Sequence, residues 1–265
     1  MFTGKYSVPC YLYLFKDMDG YQQLLYDIEV HSTEGIKRYF NNGGSPNEVH
    51  NGVPLFTTMV EMYLRSSRFK ECIRVFIEFG LNFTDKALLA VLSDDSEKLQ
   101  EEIKADGNIA NKRYSVFNNT FTPLTGATLL HYCAEYNHVK CAKVLMQGGA
   151  DANAEANLDE NGFGGHTPIF HAVCQHNNNS VEVLHFLIEH SADVLITVKG
   201  LIWGKGYEWE TFVPAVNPIS YTMMGLLPQI HRDQAMIAGN ISLLLKYAYG
   251  IEYVLPNIPN AYLNQ

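Results

Sequence analysis

A chain of 265 residues with 47% apolar and 18% charged residues has the composition of a soluble globular protein, long enough for one or two compact cores. Its 19 basic and 28 acidic residues give a formal charge of −9, which disfavours nucleic acid and anionic membranes and suits a basic protein partner better. The five cysteines (Cys10, Cys72, Cys133, Cys141 and Cys174) are odd in number and lack CxxC spacing, which argues against a disulfide framework or thiolate zinc site and for a reducing, cytoplasmic setting.

The segment 1–16 holds one apolar run, Tyr6–Phe15. Only Lys5 precedes it, Pro9 interrupts it and no small-residue cleavage site follows, so it reads as a short strand or extended segment covering the first unit. No run approaches the ~20 apolar residues of a membrane span. From residue 17 onward, helical patterns come in pairs. Tyr21–Val30 and Thr33–Phe40 lead into Gly43-Gly44-Ser45-Pro46-Asn47, a first unit over 17–49. Val53-Pro54-Leu55-Phe56 opens a second over 50–83, with helices expected over Thr57–Leu64 and Phe69–Phe79. Lys86–Leu92 and Ser96–Ile103 form a degenerate third over 84–110.

The clearest unit spans 127–154. Leu129, Leu130, Cys133 and Ala134 lie at helical spacing, followed by Val139, Ala142, Val144 and Leu145 on a second helix. Thr128 can cap the first helix, Asn137 tolerates the left-handed turn between the two, and Gly148-Gly149 ends the second. A fifth unit over 166–197 opens on Thr167-Pro168-Ile169-Phe170-His171-Ala172 and closes on His190-Ser191-Ala192-Asp193. Pro168 there occupies a first-turn position, where its missing N–H costs nothing. A last unit with a stretched middle runs from Asn217 to Gly250 within 216–253, and a tail occupies 254–265.

These residues resemble the ankyrin repeat, a unit of roughly 33 residues that opens on T-P-L-H-x-A and closes near G-A-D-x-N. Thr128-Leu129-Leu130-His131 with Ala134 matches the opening apart from its proline. Thr167-Pro168 and Ala172 keep it, with Phe170 in the histidine position, and Gly149-Ala150-Asp151-Ala152-Asn153 matches the closing throughout. HEAT and tetratricopeptide solenoids lack both signatures. The resemblance implies a single all-α solenoid domain of about six helix-turn-helix repeats, each burying its neighbour's apolar face. It also implies that His131 bonds between adjoining turns, and that a partner protein is gripped by the concave face and the finger loops.

Regular units would start every ~33 residues, whereas Thr128, Thr167 and Asn217 stand 39 and 50 apart. The excess forms long β-turn fingers at 111–126, 155–166 and 198–216, expected side by side on one edge. Phe117, Phe121, Phe163, Trp203, Tyr207, Trp209 and Phe212 lie in them and are candidate partner contacts, because aromatic rings bury much area. The same rings would equally serve small satellite cores beneath folded-back loops. Trp203 to Trp209 also reads as a β-hairpin turning at Gly204–Gly206.

Signs of catalysis are sparse. Gly200–Gly206 is one residue short of a phosphate loop and has Gly206 where Ser or Thr belongs. Gly162-Phe163-Gly164-Gly165-His166 makes a turn in a repeat protein. His166, His171, His176, His185 and His190 crowd one unit without HExxH or HxH spacing, and no serine stands in GxSxG. The expectation is a non-enzymatic protein-binding module without metal or cofactor. A specific version neutralises a basic partner, as ankyrin-like immunity proteins of bacterial toxins do. The competing expectation is an enzyme or small-ligand site built by the long loops, with His166, His171 and Lys205 as its first residues.

Overall fold

Polar caps start several of the helices. The Ser32 hydroxyl accepts the Gly35 N–H, Asp85 accepts that of Leu88, and Asp95 that of Lys98. In the computed structural model, which describes residues 20–118, 122–173, 179–203, 208, 210–224 and 234–254, the helices follow one another in pairs. These are α1 (Gly20–Glu29) and α2 (Thr33–Asn41), α3 (Leu55–Glu61) and α4 (Phe69–Glu78), and α5 (Lys86–Leu92) and α6 (Ser96–Ala105). Next come α7 (Leu129–Tyr136) and α8 (Val139–Gln147), α9 (Pro168–Val173) and α10 (Val181–Glu189), and α11 (Pro218–Met224) and α12 (Gln234–Tyr249). Helices α5, α7, α9 and α11 stack as one layer, and α6, α8 and α10 as a second. Their facing sides carry Leu88, Leu130, Tyr132, Phe170 and Leu184, all buried in one continuous core. Burying each such side chain contributes roughly 1.5–3 kcal/mol.

Short antiparallel strands project between the pairs: β1 (Val49–His50) with β2 (Val53–Pro54), β3 (Arg113–Tyr114) with β4 (Ala127–Thr128), and β5 (Val198–Trp203) with β6 (Thr211–Val216). Lys5–Phe15, Cys10, Phe121, Cys174, His176, Lys205, Tyr207, Trp209 and the chain beyond residue 254 lie outside the described residues.

Side-chain hydrogen bonds join successive units at their closing turns. Asn47 donates to the Gly80 carbonyl at 2.9 Å and accepts the Asn82 N–H at 2.7 Å. Asn111 bonds in the same way to Gly149 and Asp151, and Asn153 to Ser191 and Asp193. Asn137 takes the left-handed conformation (φ 58°, ψ 42°) between α7 and α8, and its carboxamide accepts the Val183 N–H at 3.0 Å.

Helix α3 corrects the expected span, for it ends at Glu61 rather than Leu64. The Met62 carbonyl, which a continuing helix would use, instead accepts the guanidinium of Arg65, as does that of Leu64. Arg65 turns inward to Glu135 of α7, 2.7 Å from Nε to Oε1, with its guanidinium 4.9 Å above the Tyr136 ring. The Tyr136 ring stacks on Phe69 at 4.0 Å, and its hydroxyl donates to the Val60 carbonyl. Asn179, just before α10, donates to the Arg65 carbonyl. The loop between α3 and α4 therefore reaches past α5 and α6 to touch the two following pairs.

Candidate partner-binding edge

The hairpin segments are fastened to one another. The Asn157 N–H donates to the Thr125 carbonyl at 3.1 Å, and Arg113 bonds the carbonyls of Gly126 and Glu155. Leu158 pairs with Gly164, whose own N–H donates to the Gly200 carbonyl at 2.9 Å. The Phe163 ring packs on Phe212 at 4.5 Å. Two glycines make this approach possible. Gly164 sits at φ +110°, where a Cβ would fall 2.6 Å from the Asn157 carbonyl oxygen, and a Cβ on Gly200 would fall 2.4 Å from the Phe212 ring. Segments 111–126, 155–166 and 198–216 thus touch in succession along one edge.

The candidate aromatics divide among different environments. Phe117 is 1% exposed and packs against Phe56 and Phe83. It is a core residue, which corrects its assignment as a partner contact: the ring gains more by filling the space beneath the hairpin than by facing water. Phe163 is half-buried and Phe212 is 47% exposed. Trp203 ends β5 opposite Thr211. Sequence reasoning missed the aliphatic residues here. Among the described residues between 45 and 216, the large apolar side chains exposed to solvent are Val49, Val53, Tyr63, Val116, Leu158, Leu195 and Phe212, and all but Tyr63 stand on hairpins or adjoining turns. The available signal was an apolar residue in an otherwise polar turn, such as Leu158 in an acidic, glycine-rich stretch.

The motif residues divide between the core and the closing turns. Thr128, His131, Thr167 and Pro168 are buried, Gly149 adopts φ +84°, and Asp151 accepts the Asn153 N–H at 2.8 Å. His131 Nδ1 accepts the Thr128 N–H at 3.0 Å, while its Nε2 lies 3.2 Å from the His166 carbonyl. The rings of His131, His166 and His171 form a buried cluster with centroids 5.1–5.8 Å apart. His171 Nδ1 donates to Glu135 Oε2 at 2.7 Å. Burial alone would raise the Glu135 carboxyl, but Arg65 and His171 outweigh it and hold the group down at about 2. Burial, reinforced by His171, pushes His166 down to about 3, so its ring is neutral. Burial also raises the thiols of Cys72, Cys133 and Cys141, which keeps them protonated and unreactive. Among the described residues, no group of three or more His, Cys, Asp or Glu side chains could hold a metal ion, and no helix is long and apolar enough to cross a membrane.

Stacked helix pairs, hairpins projecting from one edge and asparagines bonded into the next closing turn define a helical repeat protein. Residues 87–198 match the family model for ankyrin repeats in three copies. That span runs from α5 to α10 and is similar to ankyrin repeats over its whole length. No curated protein matches it.

Proposed function

We propose that the chain is a non-enzymatic module that binds a folded, basic protein across its hairpin edge and the adjoining concave face, and inhibits or neutralises it. The reading takes the helix pairs outside 87–198 as divergent repeats, six in all, with long finger insertions, and places the protein in the cytoplasm, where its buried free thiols stay reduced. Ankyrin repeats generally mediate protein–protein interaction. The observation that carries the reading further is the set of exposed aliphatic and aromatic side chains on the hairpins, Val116, Leu158 and Phe212 above all. Exposed apolar groups gathered on one edge mark an interaction surface, and the formal charge of −9 favours a basic partner and speeds encounter with it. The test is cross-linking capture from cells with the native full chain and with Leu158→Glu/Phe212→Glu. A basic partner should be captured by the native chain and its capture reduced about tenfold or more by the double variant, at unchanged helical circular dichroism. Undiminished capture would sink the proposal.

A second reading, a small-ligand site, is favoured by a cavity between the hairpins that His166 lines. A thermal-shift screen of nucleotides and metabolites decides it: one neutral or anionic compound giving a large, saturable shift would reverse the order of the two readings.

A further inference from the structure

The cavity between the hairpins has a volume of about 620 Å³. Glu61, Asp159 and Glu160 line it, and no lysine or arginine does among the described residues. Two of the carboxylates are held in place by backbone N–H groups. Glu61 Oε1 accepts from Asn118 at 2.7 Å, and Asp159 Oδ1 accepts from Asn161 and Phe163 at 2.9 and 3.0 Å. Among the described residues, no hydrogen bond reaches the second oxygen of either carboxylate. Such an arrangement is anchored in advance, unlike a cluster of mobile surface carboxylates.

His166 supplies an independent sign of a missing ligand. It is 1% exposed, lines the same cavity and is neutral. Although the Pro123 carbonyl is close enough to favour its proton, neither ring nitrogen makes a hydrogen bond of normal geometry. Buried polar atoms are rarely left so. A neutral imidazole offers one acceptor nitrogen, and three carboxylates offer several more, so the ligand must bring many donors and positive charge. The Phe163 ring and the Leu158 side chain add an apolar surface. A guanidinium meets all of these demands. It carries five N–H donors in one plane and stacks on aromatic faces, whereas an ammonium has three donors and no face.

We propose that this cavity receives an arginine side chain of the protein partner, its guanidinium bonded by Glu61, Asp159, Glu160 and His166. The inference rests on the protein-binding reading above and names the chemistry by which the partner is chosen.

The test uses the full chain labelled with nitrogen-15 and three probes: N-acetyl-arginine methylamide, its lysine counterpart and its uncharged citrulline isostere. The arginine probe should give saturable shifts at Asn157, Gly164 and His166. Citrulline should bind about tenfold or more weakly, as expected for the loss of charge-assisted bonds, with lysine between the two. Glu61→Gln/Glu160→Gln should weaken the arginine probe about tenfold, and added salt should weaken it further. Equal binding of citrulline, or no saturable shift at these residues, overturns the assignment. Capture of the partner separates the two proposals. A partner held equally by the native and Glu61→Gln/Glu160→Gln chains, yet lost by Leu158→Glu/Phe212→Glu, overturns the cavity assignment alone. A partner lost by neither variant overturns the protein-binding reading itself.

Discussion

His166 is one of several histidines whose neutrality is a condition of folding. Burial lowers His31 and His138 to about 4, with Arg65 and Arg68 adding to the effect on His31, and it takes His131 well below its usual value. The unfolded chain would protonate all four below about pH 6.5. The native state therefore binds fewer protons in that range. Their stabilising contribution is full above about pH 6.5 and is lost as the pH falls toward 4. Each such histidine costs about 1.4 kcal/mol of stability per unit of falling pH while it is charged only in the unfolded chain. Glu135, held at about 2, acts in the same direction lower down: its contribution is present above about pH 4.5 and lost toward 2. The melting temperature should be nearly level from about pH 8 to 7 and fall steeply between about pH 6 and 4.5. A melting profile level down to pH ~4.5 would show that these rings are not neutral in the native state.

The asparagine bonds act between elements. Asn153 gives one donor and one acceptor bond to the closing turn of the next unit. Asn153→Ala should cost about 1–2 kcal/mol in urea unfolding, with an unchanged denaturant slope. Asn153→Asp should cost more, since it loses the donor and sets a carboxylate beside Asp193. An alanine variant as stable as the native chain would deny these bonds any role. Asn153 was legible as part of the repeat motif; Asn47 was legible only as the end of the run closing the first unit, and Asn111 not at all. They share a position two residues before a strand, but nothing local says what they reach. The same division runs through the fold. Helix starts such as Lys86 and Thr33 could be read because caps and apolar spacing act within a few residues. The hairpins could be located because they interrupt a period. Whether Phe117 faces inward or outward depends on Phe56 and Phe83 in earlier units. The early end of α3 depends on Glu135, seventy residues beyond Arg65. Contacts at that separation leave no periodic trace.

At the scale of the whole molecule, a repeat protein's stability is approximately a sum over adjoining repeats. Here Arg65, Phe69 and Tyr136 add ties that pass over α5 and α6. Unfolding should therefore be a single transition. In urea, circular dichroism, which averages over all the helices, and the fluorescence of the two tryptophans, Trp203 and Trp209, should trace the same curve. Glu135→Leu alone leaves Arg65 buried and unpaired and should cost about 3–5 kcal/mol, while adding Arg65→Met should restore much of the loss. Separate curves in the native chain, or no recovery in the pair, would refute this coupling.

The overreaching loop also bears on how the molecule would meet a mechanical load. A string of independent units pulled from its ends comes apart like a zipper, one small step at a time. The segment around Arg65 is pinned to α7 and, through Asn179, to the start of α10. Tension applied across these helices loads the pins in shear, so nothing between them lengthens until they give. Rupture would then release the stretch from Arg65 to Asn179 in one event, and below that threshold the hairpin edge would keep its shape while a bound partner is dragged.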